Sequence, residues 1–118
     1  STIEEFKLAS DYIAQMGNKN IIMCERGIRT FETQTRNTLD IACVPIIQQK
    51  TNFPVVVDLS HSLGRKDIII NVARAVIALG ADGIMVEVHN DPPKALSDNK
   101  QQLSINEFKQ LLEQCYLI

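Results

Sequence analysis

Three short apolar runs, at residues 20–24, 54–58 and 84–89, each end in polar or charged residues, and helix-like segments separate them. The first runs into Glu25-Arg26-Gly27, the second into Ser60-His61-Ser62, and the third carries Glu87 and His89. Near-continuous apolar runs of this length read as strands buried on both faces. Strands alternating with helices require right-handed crossovers and hence a parallel sheet. The chain is therefore expected to be α/β, with its polar strand ends gathered on one edge. In parallel folds, that carboxyl-terminal edge is where ligands bind.

The helices have their own signals. Thr2-x-x-Glu5 is a capping box, followed by Ile3, Phe6, Ala9, Ile13 and Met16 at helical spacing, with a stop at Gly17-Asn18. A polar, Thr- and Arg-rich stretch covers residues 28–37, and helix resumes near Val44 with Pro45 in its first turn. Asp67 suits the start of a helix reaching Leu79, with Ile69, Val72, Val76 and Leu79 as its apolar stripe. Residues 80–83 read as a turn and 90–102 as a long loop. Ser104-x-x-Glu107 opens a last helix bearing Phe108, Leu111 and Leu112. The expected order is helix, strand, helix, strand, helix, strand, helix, in one structural unit over residues 1–118.

At 118 residues the chain has the size of one ordinary domain and falls well short of the roughly 200–250 residues of a closed eight-stranded β/α barrel. A charged fraction of 22% and no apolar run near 18 residues lead to the expectation of a globular chain, and Ser1–Glu5 lack the basic start and apolar stretch of a signal peptide. A net charge of −2, with basic residues dispersed, argues against nucleic-acid binding. Three cysteines without CxxC spacing suggest reduced thiols and a cytoplasmic setting. Burial of Cys24, Cys43 and Cys115 as small apolar side chains is the simplest expectation.

Glu87 is the sharpest single feature, a carboxylate inside an otherwise apolar strand. Such a group must be paired, metal-bound or solvated in a cavity. Strand alternation places Met85, Glu87 and His89 on one side. His61 reads as a metal ligand, a general acid/base or a loop cap. Arg26 reads as an anion-binding guanidinium, a surface side chain or a partner of Glu25. His61, Glu87 and Asp98 together offer one nitrogen and two carboxylate donors, a mixed set suited to Mn²⁺, Fe²⁺ or Zn²⁺.

The run Cys24-Glu25-Arg26-Gly27-Ile28-Arg29-Thr30-Phe31-Glu32 resembles a signature of the 3-deoxy-D-arabino-heptulosonate 7-phosphate (DAHP) synthases, type I-beta group. Arg36-Asn37-Thr38-Leu39-Asp40, Asp58-Leu59-Ser60-His61, Met85-Val86-Glu87-Val88-His89 and Lys94-Ala95-Leu96-Ser97-Asp98 follow in that family's order. The resemblance covers essentially the whole chain. It implies the C-terminal part of a (β/α)8 TIM barrel, with about three strands and four helices. It further implies condensation of phosphoenolpyruvate with erythrose 4-phosphate, releasing phosphate, in the shikimate route to aromatic amino acids. A divalent metal (Mn²⁺, Fe²⁺, Co²⁺ or Zn²⁺) is implied, with His61, Glu87 and Asp98 as ligands and His61 and Glu87 as catalytic residues. Arg26 and Glu25 are the implied substrate-binding residues, in a homo-oligomer of the complete enzyme.

Leu59 stands where the family usually has Pro, a change expected to alter the stiffness of a loop. The family's fourth ligand, a cysteine, and its Lys-Arg-Gly and Arg-Gly-Gly phosphate contacts have no match here, so the 118 residues alone are expected to be inactive. Two alternatives stand beside this reading. One is the sister 3-deoxy-D-manno-octulosonate 8-phosphate synthase, which shares the Glu-Arg-Gly and Ala-Leu-Ser-Asp elements. The other is a non-catalytic binding module whose unpaired sheet edges recruit another chain.

Overall fold

The computed structural model describes residues 1–116. Three parallel strands, β1 (Met23–Glu25), β2 (Val55–Asp58) and β3 (Gly83–Met85), form one sheet in the order β1-β2-β3. Met23 lies beside Val55 and Glu25 beside Val57, while Val56 lies beside Gly83 and Asp58 beside Met85. The other elements among the described residues are helices α1 (Ile3–Gln15), α2 (Cys43–Lys50), α3 (Leu59–Leu63), α4 (Ile69–Leu79) and α5 (Ile105–Tyr116) and a short 3-10 turn at Pro92–Lys94. None is long and apolar enough to cross a membrane.

The core gathers on the helix-covered face of the sheet. Met23, Val55 and Val57 meet Val44 and Ile47 of α2, Ala73 and Val76 of α4, and Leu111 of α5, all at most 2% exposed. Asp82 fixes where β3 begins: its carboxylate accepts from the Val55 N–H at 2.8 Å and its own N–H donates to the Val55 carbonyl at 2.9 Å. The Gln48 amide, from α2, donates to the Gly80 carbonyl at 2.8 Å, so helix and turn are held together there.

Both predicted capping boxes form. Thr2 and Glu5 cap α1 reciprocally, and at the start of α5 the Glu107 N–H donates to Ser104 Oγ at 3.1 Å while the Ser104 N–H donates to Glu107 Oε1 at 2.8 Å. Pro45 lies in the first turn of α2 as expected.

Several expectations are corrected. The α1 stripe is shorter than its periodicity implies: Ile3 and Phe6 pack on the core, but Ile13 and Met16 are exposed and Ser10 is buried. Asp67 stands just before α4 and outside its first turn. The N-cap of that helix is Ile68, and the Asp67 carboxylate is held by the Arg65 fork at 2.7 and 2.6 Å. Residues 60–62 belong to a fifth helix, α3, which follows β2 without a loop. Leu59 is its first residue, where proline is well tolerated because that N–H lacks an intrahelical partner. Leucine there is fully buried, so the departure from the family pattern alters a helix start and adds core packing. The third strand opens at Gly83, inside the expected turn, and ends at Met85, before Glu87.

Ile47→Ala is expected to cost about 2–5 kcal/mol in urea unfolding of the complete protein, against at most about 0.5 kcal/mol for Leu112→Ala, which sits at the surface. Glu107 adds a pH dependence. The Lys66 ammonium at 2.8 Å, helped by the Ser104 N–H, holds its carboxyl below the ordinary range. Its stabilisation is therefore present above the unfolded value of about 4.3 and lost as pH falls through the lower folded value. Because the pair is more than a third exposed, Glu107→Gln should flatten the acid limb of the stability curve by less than about 1 kcal/mol.

Candidate metal centre

Asp58, the last residue of β2, is 2% exposed and organises the site. It caps α3, its Oδ1 accepting from the His61 N–H at 2.9 Å, while its Oδ2 lies 2.7 Å from His61 Nδ1. A carboxylate on Nδ1 leaves Nε2 as the free donor and fixes the plane of the ring. His61 Nε2 in turn meets Glu87 Oε1 in a short contact and lies 3.3 Å from Asp98 Oδ2. One donor atom from each of His61, Glu87 and Asp98 lies within 4.8 Å of the others, with all three side chains half-buried. The sequence-predicted ligands thus converge.

Each arrives by a different local device. His61 rides on α3, which continues directly from the strand and ends at Gly64 in the left-handed region (φ 66°). Glu87 lies two residues beyond β3, where its N–H donates to Ser60 Oγ at 2.8 Å. Asp98 comes from the long loop. That loop returns alongside residues 87–89 through a parallel bridge between Val88 and Leu103. The Leu103 N–H donates to the Glu87 carbonyl at 2.9 Å, and the His89 N–H to the Leu103 carbonyl at 2.8 Å. Leu103 is buried, which anchors the return. Asp98 itself has φ 52°, a conformation Asp adopts more readily than most residues.

His89, expected beside Glu87, instead accepts the Asp91 N–H at its Nδ1, at 2.8 Å, and turns into the loop.

Arg26 follows β1 with its side chain largely exposed, and its Nε lies 3.8 Å from Asp58 Oδ2. The same buried carboxylate therefore neighbours both His61 and Arg26. A cavity of about 710 Å³ opens beside Arg26, with Cys24, Arg29, Asn37 and Asp40 among its lining residues. It reaches the guanidinium and not the three-donor cluster, so the two parts of the site adjoin through Asp58. Glu25 also lines that cavity, is 7% exposed and accepts from the Gly27 N–H at 2.6 Å. Burial and the neighbouring Glu25 carboxylate push the Cys43 thiol up to about 12. Cys43 and Cys115 are buried as expected, whereas Cys24 is half-buried. All three are free thiols.

Sequence reasoning missed Asp58 and Ser60 as supports for the ligands. The N-cap spacing of Asp58 to His61 was the available signal for the first. Ser60 carried none, since its partner lies 27 residues away.

Comparison with known proteins places the chain in a family. The chain is 59% identical over 114 residues to a phospho-2-dehydro-3-deoxyheptonate aldolase of Thermotoga maritima, covering 97% of this chain and 34% of that protein. A 2-dehydro-3-deoxyphosphooctonate aldolase of Desulfosudis oleivorans is 36% identical over 107 residues, covering 81% of this chain and 38% of its own length. The structure of a truncated 3-deoxy-D-arabino-heptulosonate 7-phosphate synthase from Thermotoga maritima superimposes with a TM-score of 0.93 at 59% identity, over 96% of this chain and 43% of that one. The chain thus spans about a third of the length of these curated relatives. Its open three-stranded sheet corresponds to part of a TIM barrel. The sequence profile of the DAHP synthetase I family matches residues 1–116, and the chain belongs to that family.

Proposed function

We propose that this chain carries the metal-binding portion of a DAHP synthase, which condenses phosphoenolpyruvate with erythrose 4-phosphate and releases phosphate. The observation that carries the reading is the convergence of His61, Glu87 and Asp98 beside an arginine, with one buried carboxylate between them. The donor set fits a divalent cation. Asp58 occupies Nδ1, so Nε2 faces two carboxylate oxygens, giving a mixed N/O set suited to Mn²⁺, Fe²⁺, Co²⁺ or Zn²⁺. A cation held there supplies Lewis acidity for polarising an aldehyde carbonyl.

The chain's own residues do the rest. Arg26 presents a guanidinium fork to the phosphate or carboxylate of phosphoenolpyruvate. Glu25, which lines the same cavity, supports substrate binding by accepting the Gly27 N–H and so fixing the turn that carries Arg26. Asp58 holds the His61 ring in the tautomer that leaves Nε2 to the cation. His61 and Glu87, with Asp98, would hold the cation and so set where its Lewis acidity acts. The relatives named as octulosonate enzymes are less similar, and they support the second aldose, arabinose 5-phosphate, as the comparison substrate.

In the complete protein, His61→Ala is expected to abolish stoichiometric metal binding, read by elemental analysis. It should lower turnover by more than the roughly 10–100-fold typical of losing an outer partner. Arg26→Ala should raise KM for phosphoenolpyruvate about tenfold or more, as expected for a lost charged hydrogen bond. Preference for arabinose 5-phosphate over erythrose 4-phosphate in the same assay would overturn the assignment in favour of the sister enzyme. The 118 residues alone, with Mn²⁺ and both substrates, are expected to show no turnover.

A further inference from the structure

We propose that Arg36 and Asn37 form a positioning clasp that holds two of the three candidate metal ligands at once. Both lie in the polar stretch after β1, and Asn37 also lines the cavity beside Arg26. The inference rests on the reading that His61, Glu87 and Asp98 take a divalent cation.

Two adjacent residues reach ligands that are far apart in sequence. Arg36 Nη1 donates to Asp98 Oδ1 at 3.1 Å, leaving Oδ2 as the oxygen nearest His61. Asn37 Nδ2 donates to the His61 carbonyl at 3.1 Å. The backbone follows the same path, with the Arg36 N–H donating to the Leu63 carbonyl at 3.0 Å and the Asn37 N–H to the Ser62 carbonyl at 2.8 Å. The segment is thereby strapped along the helix that carries His61, while its guanidinium reaches over to the loop that carries Asp98. The carbonyls it uses stand at the C-terminal end of α3, where intrahelical partners run out.

Two glycines make this approach possible. Both adopt positive φ, 97° at Gly27 and 66° at Gly64. A Cβ at Gly27 would fall 2.6 Å from Asn37 Cβ, and one at Gly64 would fall 2.5 Å from Arg36 Cβ. The clasp is therefore seated by close backbone approach on both sides.

Gln101 adds the last contact. Its Oε1 accepts from Arg36 Nη1 at 3.3 Å, and its backbone N–H donates to the Asp98 carbonyl at 3.1 Å. Gln101 is 4% exposed, and its Nε2 has no hydrogen-bond partner among the described residues. Turning that amide over would set two donors against each other, so Arg36 fixes its orientation. Asp98 sits at φ 52°, a backbone geometry that a neighbouring restraint must hold in place. Arg36 supplies that restraint through both the Asp98 side chain and the Gln101 amide.

The test uses Co²⁺ as the probe in the metal-stripped complete protein, read by calorimetric affinity and by the visible absorption of the bound ion. Arg36→Ala is expected to weaken Co²⁺ binding about 10–100-fold and to alter the spectrum. Arg36→Lys, which keeps a charged donor without the fork, should recover part of that affinity, and Arg36→Gln less of it. Circular dichroism confirms folding, and the Lys and Gln variants carry the comparison if the Ala variant does not fold. Unchanged affinity and spectrum in Arg36→Ala would overturn the clasp. If the parent protein binds no Co²⁺, the cation reading has failed, and hydrogen exchange at the Gln101 amide of the metal-free protein then decides the clasp. Faster exchange in Arg36→Ala supports it, and an unchanged rate overturns it.

Discussion

The buried carboxylate of Asp58 is the interaction on which the rest of the site depends. It closes the central strand, caps the helix that follows, and orients the imidazole that the helix presents. A charge at 2% exposure is tolerated because both oxygens accept hydrogen bonds and a guanidinium stands nearby. Removing it would leave the ring free to rotate and the His61 N–H without its cap. Helix start and ring orientation are thus set by one side chain.

The alternation of strand and helix and the parallel sheet were legible in the sequence through local marks, whereas the donor set, Asp98 above all, was legible through the family resemblance. Apolar runs of four or five residues mark strands, and capping boxes mark the starts of α1 and α5. The remainder was not legible because its determinants are tertiary. Helix α3 has five residues, too few for any periodicity to appear. Arg36 and Asn37 lie in a Thr- and Arg-rich stretch that reads as solvated loop, and their partners are 62 and 24 residues away. The stripe of α1 was misjudged for a related reason. Its spacing is sound, but the sheet and α2 offer a surface that reaches Ile3 and Phe6 and stops short of Ile13 and Met16.

Glu87 shows how a correct conclusion can rest on an incorrect local picture. Its carboxylate drew notice as a charge within a strand, yet β3 ends two residues earlier. What places Glu87 is its own N–H on Ser60 Oγ and its carbonyl on the Leu103 N–H. Both of its backbone polar groups are spoken for, so the residue is held by main chain before its side chain does anything. The same return of chain at Leu103 determines where Asp98 can stand.

The bond from Glu87 N–H to Ser60 Oγ has a consequence for how such a site can change. His61 and Glu87 follow different strands, but Ser60 is the immediate neighbour of one and the hydrogen-bond partner of the other. Their separation is therefore written into main-chain contacts that do not involve either ligand side chain. A frame of that kind survives the exchange of an imidazole for another donor, or of one carboxylate for a different one. Selection for a different cation can then proceed one side chain at a time, with the scaffold already paid for.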